Sequence, residues 1–176
     1  MFLNKYIVFR SPNQPLDHDG EENHVGKIFT KPFYKAKIGS SHTLTLYVES
    51  VKRDDEILVK IKHNSNPNAA NQLVIYPREL SCIIAAAKPV IRQGVGQKIH
   101  LKGSSRRRNT VSIHLERFKK EGGVTGVIIM YFFKKPSTGK WVRSSSGVKL
   151  SQTCLYDLAV VNNIIKKTNI KNYKVL

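Results

Sequence analysis

Two kinds of stretch in this chain carry residues that can do chemistry. The first is acidic. "DHDGEENH", residues 17 to 24, gathers Asp17, Asp19, Glu21 and Glu22 with His18 and His24. Clustered carboxylates and imidazoles are what a metal-dependent nuclease uses to hold a divalent ion. No second acidic cluster completes such a site, however, and the glutamate spacing that a calcium loop needs downstream is missing. The preferred reading is a flexible acidic arm over residues 1–30, able to fold back over a basic surface and compete for it.

The second kind is basic and interleaved with aromatics. Lys35, Lys37, Lys60, Lys62, Lys102, Lys134, Lys135, Lys140 and Arg143 supply ammonium and guanidinium groups for phosphate contacts. Tyr47, His114, Phe118, Tyr131, Phe133 and Trp141 supply rings on which bases can stack. Each ring has a plainer use as core packing. Trp141 leads the set because it lies beside Lys140 and Arg143 in a Ser- and Gly-rich hairpin. Arg106, Arg107 and Arg108 are a solvated charge run on the plain reading and a phosphate clamp on the functional one.

Composition favours the second kind. The chain has 176 residues, with Lys+Arg 30 against Asp+Glu 12, a net charge of +18 and a pI near 10.1. Folding does not require that excess, and self-repulsion works against compactness. It points to a polyanionic partner, nucleic acid ahead of anionic membrane. No stretch approaches the roughly 18 apolar residues of a spanning helix. The longest apolar run, "VIIMYFF" at 127 to 133, reads as a buried strand. "MFLNKYIVFR" holds two cations and no acid, a composition compatible with organelle targeting, but an irregular or strand-forming start is preferred. Cys82 and Cys154 do not make a disulfide framework and read as buried apolar residues in an intracellular reducing compartment. There is no phosphate-cradling loop, no Ser-His-Asp pattern and no ligand spacing for a metal. His63 and His100 read as turn or strand residues. No cofactor and no enzymatic activity are expected.

The elements that position these residues come from an internal duplication. "TLTLYVESVKR" at 43 to 53 returns as "TVSIHLERFKK" at 110 to 120, with Thr43, Glu49 and Lys52 answered by Thr110, Glu116 and Lys119. "KIGSS" at 37 to 41 answers "LKGSS" at 101 to 105, and Arg106–Arg108 form a three-residue insertion in the second copy. Each copy reads as four strands and a helix. In the first, "FYKAKI", 43 to 51, "EILVKIKH" and "QLVIY" precede a helix that opens on Pro77, a favoured first position. Its apolar stripe is Leu80, Ile83, Ile84, Ala87 and Ile91; Pro89 is expected to kink or end it, with Gly94 and Gly96 as stops. In the second, "KIHLK", 110 to 118, "GVIIMYFFKK" and "KWVRS" through "GVKL" precede a helix capped by Ser151, with Cys154, Leu158, Val161 and Ile165 as its stripe. The fold class is therefore α+β: two ββββα units at about 31–96 and 97–170, two antiparallel sheets packed with two helices in a single domain 31–170, and a tail at 171–176.

Alternation then assigns faces. Leu44, Leu46 and Val48 point inward, turning Thr45, Tyr47 and Glu49 outward. Ile57, Val59 and Ile61 likewise turn Lys60 and Lys62 outward. Taking Ile128, Met130 and Phe132 as their counterparts turns Tyr131 and Phe133 outward beside Ser112 and His114.

The second copy resembles the single-strand-binding domain of the transcriptional coactivator called positive cofactor four. "TVSIHLERF" is similar to that family's V-x-I-x-[IL] strand with charges and an aromatic after it, and "GKWVRSSSGVKLS" with "CLYDLAVVNNII" to its basic hairpin and helix. The ββββα duplication is similar to Whirly proteins and to kinetoplastid mitochondrial RNA-binding proteins, with PUR-type repeats as second choice. The resemblance covers about residues 33 to 167. It implies a Whirly-like pair of sheets, single strands lying across them, and a homo-oligomer, dimer or tetramer, supported by the helices. Two features depart from the pattern. The lysine-glycine-lysine turn of plant Whirly proteins is absent from "KAKIGSSHT", and Phe118 is followed by Lys119 where the coactivator has a second aromatic.

The expectation is a non-enzymatic protein that binds single-stranded DNA, or RNA, with little sequence preference, in transcription, replication, repair or RNA processing, without a membrane partner. The alternative is a structural RNA-binding component of a ribonucleoprotein such as an organellar ribosome; charge carried on strands and turns rather than on long tails favours the former.

Overall fold

The computed structural model describes residues 29–51, 54–66, 71–102 and 110–167. Residues 1–28 of the acidic arm, Arg106, Arg107, Arg108 and the tail lie outside the described residues. Chain order is β1 (Phe29–Ile38), β2 (His42–Val51), β3 (Asp54–His63), β4 (Gln72–Ile75), α1 (Pro77–Gln93), β5 (Gln97–Leu101), β6 (Val111–Lys119), β7 (Thr125–Lys134), β8 (Trp141–Ser151) and α2 (Gln152–Lys167). The strands form two four-stranded antiparallel meanders, β1-β2-β3-β4 and β5-β6-β7-β8. This is the duplicated ββββα, α+β architecture expected from the sequence.

Cross-strand partners share a face, so pairing shows which residues meet the helices. In the first sheet Leu44 pairs with Ile61, Leu46 with Val59 and Val48 with Ile57, all buried. In the second, Val111, Ile113 and Leu115 pair with Phe133, Tyr131 and Ile129, again all buried. The inner faces of both sheets and the apolar stripes of α1 and α2 form one continuous core. The helices cross between the units: α1 lies against β6 and β7 of the second, and α2 against β1 of the first.

Local chemistry fixes the helix ends. Tyr76 N–H donates to Glu79 Oε1 at 2.9 Å, closing the start of α1 behind Pro77. Gly94, at φ 72°, ends it and donates its N–H to the Val90 carbonyl. The helix runs through Pro89 to Gln93, so of the two expected effects Pro89 does not end it, and Gly94 is the stop. The carbonyl that Pro89 leaves without its helical donor is that of Ala85, an exposed residue. α2 starts as expected, with Cys154 N–H donating to Ser151 Oγ at 3.2 Å.

Two of the hydrogen bonds between the units involve carboxylates. Gly39, in the β1–β2 turn at φ 58°, donates its N–H to Asp157 Oδ2 on α2 at 2.7 Å. A Cβ at Gly39 would sit 2.6 Å from Cys154 Sγ, so only glycine allows both the turn and the contact. Glu79, buried in α1, accepts from the Tyr131 hydroxyl of β7 at 2.7 Å.

That second contact overturns one expectation. Tyr131 and Phe133 were assigned to the outer face, but they are 3% and 1% exposed and belong to the core. The outward residues of β7 are Ile128, Met130 and Phe132. The run 127–133 is apolar throughout and carries no alternation of its own. Pairing with β6 decides the register, and Glu79 satisfies the tyrosine hydroxyl inside.

Candidate nucleic-acid interface

The outer face of the first sheet is not an open lysine track. Lys60 pairs with Thr45 and Lys62 with Thr43, which places both lysines outward as expected. Yet Lys60 is only 8% exposed, and burial, followed by the neighbouring Lys62 charge, lowers its pKa to about 8. Leu58, Val74 and Tyr76 form a buried cluster on this face with Tyr47 packed against it. Tyr47 is thus half-buried in a local apolar contact, and Lys60 is corrected from an exposed phosphate ligand to a buried residue. Lys35 and Lys37 of β1 remain exposed.

The outer face of the second sheet is different. Its residues follow from the register: Lys98 pairs with His114, His100 with Ser112, Ser112 with Phe132, His114 with Met130, and Phe132 with Arg143. The His114 and Phe132 rings lie 4.5 Å apart at a 37° tilt. The Arg143 guanidinium stands 5.2 Å over the Phe132 ring, and its Nη2 is 3.9 Å from Met130 Sδ. His114 Nε2 and Ser112 Oγ are hydrogen-bonded at 3.0 Å. At the β8 end of the face, Trp141 is 44% exposed and meets the His100 ring edge-on, with centroids 6.2 Å apart.

Charge surrounds these rings. Lys98, His100, Lys134, Arg143 and Lys149 are exposed, with Glu116 the acid beside them. Burial, then the Lys98 and His100 charges, lower the His114 pKa; Glu116 opposes this and Arg143 adds to it. These influences favour the neutral, stackable form of the His114 imidazole. Phe118 lies farther along the same face, half-buried over Gly126, with Lys120 Nζ 6.0 Å from its ring.

No family model and no curated protein matches this chain. Among solved structures it is similar to a plant transcriptional regulator, PBF-2, at 12% identity and a TM-score of 0.40, over 79% of this chain and 81% of that one.

Of the residues singled out in the sequence, the structure brings His114, Phe118, Trp141, Arg143 and Lys134 onto one face. Lys135 and Lys140 sit in the hairpin beside it, joined by the Lys135 N–H to Lys140 carbonyl bond at 2.8 Å. Lys102 is exposed just past the end of β5, where its carbonyl accepts from Arg78. Lys35, Lys37, Tyr47, Lys60 and Lys62 belong to the other sheet. Sequence reading passed over Phe132, Met130, Ile128, Lys98, His100 and Lys149. For two of them a signal existed: in "KIHLK" the half-buried Ile99 and Leu101 turn Lys98 and His100 outward by simple alternation.

A second titratable cluster lies at the seam between the units. His42 Nδ1 is hydrogen-bonded to Ser41 Oγ at 2.7 Å and lies 3.9 Å from Cys154 Sγ, while the His63 ring meets its edge at 4.9 Å. Burial first, then His63 and Lys120, lower the His42 pKa to about 4. Among the described residues no three His, Cys, Asp or Glu side chains form a group suited to a metal ion, and no helix is long and apolar enough to cross a membrane.

Proposed function

We propose that this chain is a non-enzymatic binder of single-stranded nucleic acid and that the outer face of β5–β8 is its platform. The observation that carries the reading is the cluster of Phe132 with His114 and Arg143, with the His100–Trp141 pair on the same sheet and exposed cations around both. Unpaired bases offer flat faces that such rings accept whatever the base, at roughly 1–3 kcal/mol each. A duplex keeps those faces stacked inside. The cations track the phosphates, and the charge-bearing side chains have no fixed array aimed at base edges, so sequence preference is weak.

The test is fluorescence anisotropy with single-stranded DNA, single-stranded RNA and duplex DNA of matched length over a range of salt. Single strands are expected to bind more tightly than duplex. With Lys98, Lys134, Arg143 and Lys149 on phosphates, log K is expected to fall against log salt with a slope of about −3, at roughly −0.7 per contact. Equal affinity for all three polymers overturns the platform and leaves general polyanion binding, the behaviour of a structural ribonucleoprotein component. The ratio of DNA to RNA affinity names the polymer.

A further inference from the structure

α1 and α2 leave an open groove between them, with a volume of about 730 Å³. The α1 wall is Ile84, Ala87 and Ile91, and the α2 wall is Leu155 and Ala159. Along both helices these residues recur at spacings of three and four, so the groove runs for about two turns, roughly 12 Å at 1.5 Å per residue. The core takes Leu80, Ile83, Ala87 and Val90 from α1 and Leu158, Val161 and Ile165 from α2, and Ile84, Ile91 and Leu155 pack against it. These last three and Ala159 stay half-buried, so each helix keeps a partly open apolar edge beside its buried stripe, and the two edges face a common trough. Tyr156, 73% exposed, stands at its margin.

The charges at this groove have one sign. Lys88 and Arg92 are exposed along the α1 side, and among the described residues no acid lines it. Asp157, one residue from Tyr156, is engaged by the Gly39 N–H. A second copy of the chain, the partner expected from the sequence, brings the same Lys88 and Arg92 to the contact, so like charges meet. Nucleic acid finds aliphatic walls here in place of the stacked rings of the β5–β8 face.

We infer that the α1–α2 groove receives an acidic amphipathic helix from another protein. Its apolar residues, at i, i+3 or i+4, and i+7, enter the trough as the third helix of the bundle, and its carboxylates face Lys88 and Arg92. The groove is a docking surface independent of the β5–β8 platform, so one molecule holds a strand and a protein together.

The test uses the full chain and two fluorescein-labelled peptides of identical Leu and Glu composition. One places its leucines at i, i+3, i+4 and i+7; its twin scatters them around the helix. The amphipathic peptide is expected to bind at least ~10-fold more tightly than its twin. That margin is expected to vanish in the Lys88→Glu/Tyr156→Glu variant, whose changed side chains are both exposed and whose fold is checked by circular dichroism. It is expected to survive saturation with a single-stranded oligonucleotide. Equal binding of the two peptides, an unchanged margin in the folded variant, or displacement of the peptide by oligonucleotide overturns the inference. So does sedimentation showing that wild-type chains self-associate and Tyr156→Glu chains do not, because the groove then belongs to a second copy.

Discussion

Phe132 and Phe133 are neighbours on β7 that face opposite ways, so the proposed platform and the core can be probed separately within a single dipeptide. Phe132 is half-buried on the outer face beside His114 and Arg143, whereas Phe133 is 1% exposed in the core. Phe132→Ala removes one stacking platform. At about 1–3 kcal/mol per stacked base, affinity for single-stranded DNA is expected to fall roughly 5- to 150-fold. The folded state loses mainly the Arg143 contact and part of a half-buried ring, so unfolding free energy is expected to drop by only about 1 kcal/mol. For Phe133→Leu the order reverses. Reshaping a filled core site costs on the order of 1–3 kcal/mol of stability, while the folded protein is expected to bind oligonucleotide like the wild type. Anisotropy at fixed salt reads the first quantity, and urea denaturation followed by circular dichroism reads the second. Wild-type affinity in Phe132→Ala together with impaired binding in folded Phe133→Leu refutes both the facing of β7 and the choice of platform.

Two further outcomes follow from the packing. The His42 pKa lies below its unfolded value of 6.5, at about 4, so the unfolded chain binds the proton more readily and stability is lost as pH falls through that window. The loss between pH 7 and pH 5 is about 2 kcal/mol by that linkage, and urea melts of a His42→Phe variant are expected to show a flatter pH profile over the same range; an unchanged slope counts against the burial of a neutral imidazole. At Gly126 an added Cβ would lie 2.1 Å from the Leu150 carbonyl oxygen and 2.7 Å from Phe118 Cε1. Gly126→Ala is therefore expected to cost more than ~2 kcal/mol by thermal melt, and a neutral result refutes the tight β7–β8 approach.

Where a strand mixes polar and apolar residues, its facing could be read from sequence. "TLTLYV" alternates, and Leu44, Leu46 and Val48 lie inside as that pattern requires. The capped helix starts at Pro77 and Ser151 were legible for the same reason: the signal is local and chemical. β7 was not legible, because an unbroken apolar run hides its period and only the partner strand and the distant Glu79 fix its phase. The proposed platform is affected accordingly: the hairpin points to Trp141 and Arg143, while the hidden period of β7 puts Phe132 inside and Tyr131 and Phe133 outside. Lys60 shows the complementary gap, since alternation gives a side chain's direction but says nothing about what lies above it.

The bond between Glu79 and Tyr131 bears on how such a duplicated chain stays whole. It joins the helix of the first unit to the third strand of the second, and the Gly39–Asp157 bond joins the first unit's hairpin to the second unit's helix. Each half has thereby exported structural duties to the other, as in a domain-swapped dimer whose two subunits have been spliced into one polypeptide. A half set free would expose the core surface its helix shares and, in the first unit, a carboxylate lacking its phenol. Such mutual dependence makes the fusion hard to reverse, and it removes any need for the halves to stay alike. One sheet can close its outer surface around Leu58, Val74 and Tyr76 while the other keeps its rings in solvent. Symmetry lost in this way lets a repeat divide its labour.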